Sequence, residues 1–219
     1  MNKALACHCR PKEEIGHKIG TVLALDFKHK DGDSFMDRSV YGHLCTNHGS
    51  KWQLDGRYFD GNDYIDCGND KSLDVSDFTI ATCFRTLRTT TSWLISKHLA
   101  NKELCGLDIS RSVAGRITGW IRDGAGNLIQ PYFDGGYNDD CGHQADLTRI
   151  GATGYLFMDG QFRDAKTNTA VGSTINTANL WIGGLTDQAT ERFLGLIDKA
   201  QVYSFADYTP RILSRSIGG

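Results

Sequence analysis

Glutamate is nearly missing from this chain. Of its 26 acidic residues only Glu13, Glu14, Glu103 and Glu191 are glutamate, and the other 22 are aspartate. Glutamate favours helices, whereas aspartate bonds its own backbone in turns and can chelate hard cations from a tight loop. The shortage argues for few helices and many turns. Clustered basic charge is also lacking: the net charge is −2 and the Lys and Arg residues are dispersed, which speaks against a nucleic-acid partner. No apolar run approaches the roughly 18 residues of a membrane span. The start, MNKALACHCRPKEEIG, meets CHCR before any useful apolar stretch, so it does not read as a signal peptide. Regular cysteine spacing is absent as well. Cys7, Cys9, Cys45, Cys67, Cys83, Cys105 and Cys141 make an odd set, which favours reduced, mostly buried thiols over a disulfide framework. Cys7, Cys9 and His17 match no zinc spacing.

What remains is a 219-residue chain with 25 glycines and three prolines, long enough for one domain with a substantial core. Short runs with period-two alternation recur: TVLALDF (21–27), RYFD (57–60), DYIDCG (63–68), DFTIATCFRTL (77–87), SWLISKH (92–98), GLDISR (106–111), RITGWIRD (116–123), NLIQPYF (127–133), GYLFMDG (154–160), LWIGG (180–184) and LIDKAQVYSF (196–205). DGD, DGN, DGAGN, DGGYND and MDGQ supply turns. The count predicts an all-β chain: two packed antiparallel sheets in a β-sandwich, with at most one or two short helical turns. FDGNDYIDCG reads as a tight hairpin, Gly61 and Asn62 taking positive φ between Asp60 and Asp63, so its carboxylates serve turn chemistry. Residues 1–19 read as an extension, 20–206 as the domain, and 207–219 as a tail with a short helix capped by Thr209 ahead of Pro210.

Four segments in order, LALDFKHKDGDSFMDRSVYGH, YFDGNDYIDCGNDKSLDVSDFTIATCF, GYLFMDGQ and FLGLIDKAQVYS, resemble the laminin-G-like jelly rolls of the concanavalin A-like lectin/glucanase superfamily. The Trp-His-His-Val segment usual in that family survives here only as His143 within CGHQADLTRIGAT. In the final strand Leu194, Leu196, Asp198, Ala200 and Val202 share one face, so Asp198 points among apolar neighbours and needs a partner. The resemblance implies a structural Ca²⁺ there, held by Asp198 with Asp37 and Asp26 and with carbonyls around residues 39–42. The alternative is a salt bridge to Lys or Arg.

In RITGWIRD the pattern sends Ile117, Gly119 and Ile121 to one face and Arg116, Thr118, Trp120 and Arg122 to the other. Flat rings stack on sugars while charged groups bond hydroxyls, so Trp120, Arg116, Arg122, Tyr132, Tyr137, His143 and Asp159 form a candidate carbohydrate groove. Ordinary sheet packing is the competing reading. Trp93, Trp181 and Phe84 are expected in the core. Superfamily glucanases carry a strand with paired glutamates, which this chain lacks, and nothing in the sequence shows that Asp pairs such as Asp108 and Asp159 converge. The expectation is a non-catalytic module for a glycan or polysaccharide. The alternative is a structural or adhesion domain contacting other protein subunits of a virion or cell-surface assembly, and a hydrolase or lyase stands behind both. An extracellular or virion-surface location follows from the resemblance alone.

Overall fold

A computed structural model describes residues 20–100, 102–186 and 189–204. The expected helix at Thr209 and Pro210 and the Cys7, Cys9 and His17 cluster lie outside the described residues. Two antiparallel sheets face each other across one core. In the first, sheet A, the neighbours in order are Gln161–Thr167 (β15), Thr153–Met158 (β14), His143–Ile150 (β13), Phe78–Arg85 (β7), Leu194–Tyr203 (β17), Gly56–Asp60 (β5) and Lys51–Gln53 (β4), while Thr21–Asp26 (β1) pairs the later half of β17. Sheet B runs Leu128–Ile129 (β11), Arg116–Arg122 (β10), Leu104–Ile109 (β9), Ser92–His98 (β8), Leu180–Ile182 (β16), Tyr64–Asp66 (β6), Leu44–His48 (β3) and Ser34–Met36 (β2), and Tyr132–Asp134 (β12) joins β10. Among the described residues the only helical pieces are two 3₁₀ turns, Lys71–Leu73 and Ala189–Glu191. The β-sandwich expected from the alternation is the one observed.

Leu23, Leu25, Ile80, Phe84, Leu147 and Leu156 of sheet A meet Ile65, Leu94, Leu107, Ile117, Ile121 and Ile182 of sheet B in a single buried cluster. Each such side chain contributes about 1.5–3 kcal/mol on burial, which is why inward alternation fixes the register. Pro131 splits the predicted 127–133 strand into β11 and β12, since proline cannot donate to a ladder.

Three expectations are corrected. β5 and β6 lie in different sheets, so FDGNDYIDCG is a crossing between sheets and not a hairpin. Gly61 has φ 97, whereas Asn62 is not among the residues with positive φ; its N–H bonds Asp60 Oδ1 at 2.8 Å, and Asp60 N–H bonds Asp63 Oδ2 at 2.9 Å. The carboxylates do serve the turn. The thiols are not all reduced: Cys83 and Cys141 are disulfide-bonded, while Cys45, Cys67 and Cys105 are free. Finally, β17 carries an irregularity between Ile197 and Lys199, which shifts the inward set from Ile197 to Ala200 and Val202. Asp198 is the residue at that shift, so it does not share an unbroken face with Leu196 and Ala200.

Candidate functional site on the outer face of sheet B

β10 alternates as its sequence requires, burying Ile117 and Ile121 and turning Trp120 and Arg122 outward. Trp120 is half-buried and donates from Nε1 to Asp108 Oδ2 at 3.0 Å. Its ring centroid lies 6.0 Å from that of Trp93. The Arg111 guanidinium sits 4.9 Å from the Trp120 centroid and 5.7 Å from the Trp93 centroid. It donates from Nε to Asp108 Oδ2 at 2.6 Å and from Nη2 to Glu191 Oε2 at 3.1 Å. Glu191 Oε2 also accepts Trp93 Nε1–H at 2.7 Å. Gly106 makes the room: a Cβ there would meet the Ile95 carbonyl oxygen at 2.5 Å and Trp93 Cζ3 at 3.1 Å. Asp108 is fully buried, and burial pushes its carboxyl up to about 6 against the opposing pull of Arg111 and Trp120.

A second stack continues along the same face. His48, Tyr64 and Trp181 stand on β3, β6 and β16, with centroid separations of 4.3 Å and 4.1 Å. Arg192 lies 4.1 Å from the Tyr64 centroid and 4.9 Å from the Trp181 centroid. The consecutive residues Glu191 and Arg192 thus reach the two stacks separately. Of the three side chains expected in the core, Phe84 and Trp93 are buried there and Trp181 is not. Trp93 lies in a second, smaller core cluster with Leu104 and Leu185, and Trp181 is half-buried. Tyr64, His48, Arg111, Glu191 and Arg192 escaped sequence reading because nothing local marks a ring as outward when its strand is three residues long.

The seven predicted groove residues separate. Trp120, Arg116 and Arg122 share the outer face of sheet B, with Tyr132 paired opposite Thr118. Arg116 forks onto Asp134 at 2.6 Å and 3.0 Å and covers Tyr132 at 4.4 Å from its centroid. Arg122 donates to the Lys102 carbonyl at 2.7 Å. Tyr137, His143 and Asp159 form a different cluster at the end of β13, on the other sheet. There the His143 imidazole lies 3.0 Å from both Asp159 Oδ2 and Asp139 Oδ1, with Tyr137 edge-on at 4.9 Å. Burial opposes a charge on His143, but its two carboxylate partners outweigh burial and raise its pKa. Both nitrogens being engaged, the ring is a clamp within the fold. Asp108 lies on β9 of sheet B, whereas Asp159 lies in the turn between β14 and β15 of sheet A.

The three carboxylates expected at calcium do not form one set. Asp37 is buried and filled: Oδ1 accepts Ala24 N–H at 3.2 Å and Ser39 N–H at 2.6 Å, while Oδ2 faces His43 N–H and His43 Nδ1, the latter at 2.8 Å. Burial works against its charge, yet these bonds hold its pKa below the usual range. No acceptor capacity is left for a metal. Asp198 instead faces Lys28 at 3.7 Å, close enough to Asp26 to feel its charge, and burial pushes it up to about 6. Among the described residues no group of three or more His, Cys, Asp or Glu side chains is arranged to hold a metal ion.

Residues 59–207 match the family model described as the concanavalin A-like lectin/glucanases superfamily. The chain belongs to that superfamily. No curated protein sequence matched it. Solved structures share the superfamily fold at low identity. The binding domain of Paraclostridial Mosquitocidal Protein 1 is similar with TM-score 0.70 and 15% identity, over 90% of this chain and 52% of that one. The receptor-binding domain of botulinum neurotoxin mosaic serotype C/D gives 0.68 and 14%, over 90% and 51%. Trypanosoma rangeli sialidase in complex with sialic acid gives 0.63 and 16%, over 85% and 31%. The chain therefore spans about half or less of these relatives' length. No described helix is long and apolar enough to cross a membrane.

Proposed function

We propose that the outer face of sheet B binds a glycan without cleaving it. One observation carries the reading: two aromatic and arginine stacks lie along one sheet face and are bridged by Glu191 and Arg192. From β10 to β3 this face crosses five strand steps, about 24 Å at about 4.8 Å per step, enough for a short oligosaccharide. Membership in a superfamily of lectins and glucanases supports the reading, as do similar structures named for receptor binding or solved with a sialylated ligand. Catalysis is less well supported, because Asp108 and Glu191 are both held by Arg111. A glycan array should give hits, and Trp181→Ala and Trp120→Phe should each weaken them at least tenfold with the melting temperature within a few degrees. An array without hits, or hits indifferent to both variants, would reject this function.

Calcium enters the proposal in narrowed form, at Asp26 and Asp198. Asp198 Oδ1 is enclosed and has no hydrogen-bond partner among the described residues, which supports a cation; Lys28 is the competing counter-charge. A second reading, as a subunit of a surface assembly, draws on the exposed apolar side chains Met36, Val40, Tyr41 and Leu44 around the β2–β3 connection. Concentration-dependent self-association in sedimentation, lost in Val40→Asp with Leu44→Asp, would favour it.

A further inference from the structure

We propose that Arg192 and Trp181 form a subsite for the oxyanion of an acidic sugar, a carboxylate or a sulfate. The inference rests on the glycan-binding reading of this face and specifies the class of glycan.

Arg192 differs from the other arginines of sheet B's outer face. Arg111 and Arg116 are bonded to carboxylates and Arg122 to a carbonyl. Arg192 has no ion pair among the described residues, and its Nε and Nη1 are enclosed without any hydrogen-bond acceptor. The adjacent Trp181 Nε1 is likewise enclosed, with no hydrogen-bond partner among the described residues. Arg192 Nε and Nη1 and Trp181 Nε1 are thus three donors left without an acceptor among the described residues. Leaving such groups unmet is costly, and the cost is greater for a charged group.

The guanidinium is nevertheless held in place. It lies against Tyr64 and Trp181, and Gly184 passes beneath it, where an added Cβ would meet Arg192 Cδ at 2.9 Å and Trp181 Cε3 at 3.5 Å. Burial pushes the Arg192 pKa down, and the weaker opposing effects of Tyr64 and Asp63 do not restore it. Asp63, the acidic side chain acting on it, is already bonded to the Asp60 backbone N–H. A cation oriented by two rings, short of counter-charge and beside a free indole N–H suits an oxyanion, which accepts several charge-assisted bonds at once. A neutral sugar hydroxyl supplies acceptors but no charge. An acidic sugar seated here could extend along the face toward Trp93 and Trp120 through Glu191, whose carboxylate repels a second anion and confines the charge requirement to the Arg192 end.

The test uses the 219-residue chain labelled with ¹⁵N and three probes: a glucuronate-containing tetrasaccharide, the same tetrasaccharide with its carboxyls reduced to alcohols, and inorganic sulfate. The acidic tetrasaccharide should move the Arg192 Nε–H and Trp181 Nε1–H resonances and bind about tenfold or more tighter than its reduced form, a preference that Arg192→Gln abolishes. Arg192→Lys should retain part of it, since charge survives without the planar fork. Sulfate alone should move the same two resonances at higher concentration. Equal binding of acidic and reduced forms, or acidic binding that leaves both resonances still, overturns the subsite while the glycan reading stands. Sulfate moving both resonances while neither saccharide binds overturns the glycan reading and keeps the anion site. Silence from all three probes overturns the subsite.

Discussion

Asp108 is the most exposed to test of the buried side chains, because its environment sets a signed pH dependence. Its folded pKa of about 6 lies above the ordinary 3.8, so the native state binds more protons than the unfolded chain between those values. Its contribution to stability therefore falls as pH rises from about 4 to about 6 and is constant above, by on the order of 3 kcal/mol. Urea midpoints measured across that window should decline more steeply in the wild type than in Asp108→Asn; parallel profiles would show that Arg111 and Trp120 compensate the burial fully. His143 has the opposite signature. Its pKa is raised, so its stabilisation is complete below about 6.5 and is lost as pH rises through the higher folded value. Asp139 and Asp159 are 50% and 42% exposed, which limits the effect to below about 1 kcal/mol. His143→Gln should differ from the wild type in thermal midpoint below about pH 6.5 and approach it as pH rises through the higher folded value, and a constant difference at all pH values would assign the loss to packing. Neither behaviour was legible in the sequence. Alternation correctly turned Trp120 outward, but Asp108 is partnered by Arg111, beyond β9, which is itself held by Glu191 far along the chain.

At the scale of elements, the strands read correctly were those whose apolar residues alternate, such as β1, β7, β10 and β14. β13 was missed although it lies in the interior of sheet A, because in HQADLTRI only Ala145 and Leu147 reach the main core, while Asp146 and Thr148 are buried polar residues on the other face. β15 and the short β2, β3 and β4 lie at or near sheet edges, where polar sequences are tolerated and periodicity is weak. Leu147 pairs Ile80 and Leu156 on its two sides and is fully buried. Leu147→Ala should cost about 2–5 kcal/mol by denaturant unfolding. A loss below about 1 kcal/mol would mean that Gly119, whose added Cβ would meet Leu147 Cδ1 at 2.5 Å, leaves the site free to collapse.

For the whole molecule, the narrowed calcium site makes a bulk expectation. A cation at Asp26 and Asp198 stabilises the native state by RT ln(1 + [L]/Kd), about 2.7 kcal/mol at a hundredfold excess over Kd. Chelation should lower the melting temperature by several degrees, calcium should restore it, and Asp198→Asn should remove the response. A curve indifferent to both additions leaves Lys28 as the counter-ion. Resemblance gave the architecture but not the bonding of Asp37, because its partners are mostly backbone N–H groups that leave no mark on side-chain identity. The strand order has one more consequence, for the chain as it is being made. β17 lies between β7 and the pair β1 and β5, and β16 lies between β8 and β6, so both sheets are closed by the last described strands. At about 5–20 residues per second, roughly ten to forty seconds separate the synthesis of β1 from that of its partner. Throughout that interval the strand edges that β16 and β17 cover in the finished fold lack those neighbours, which leaves them open to edge pairing until the closing segment is made.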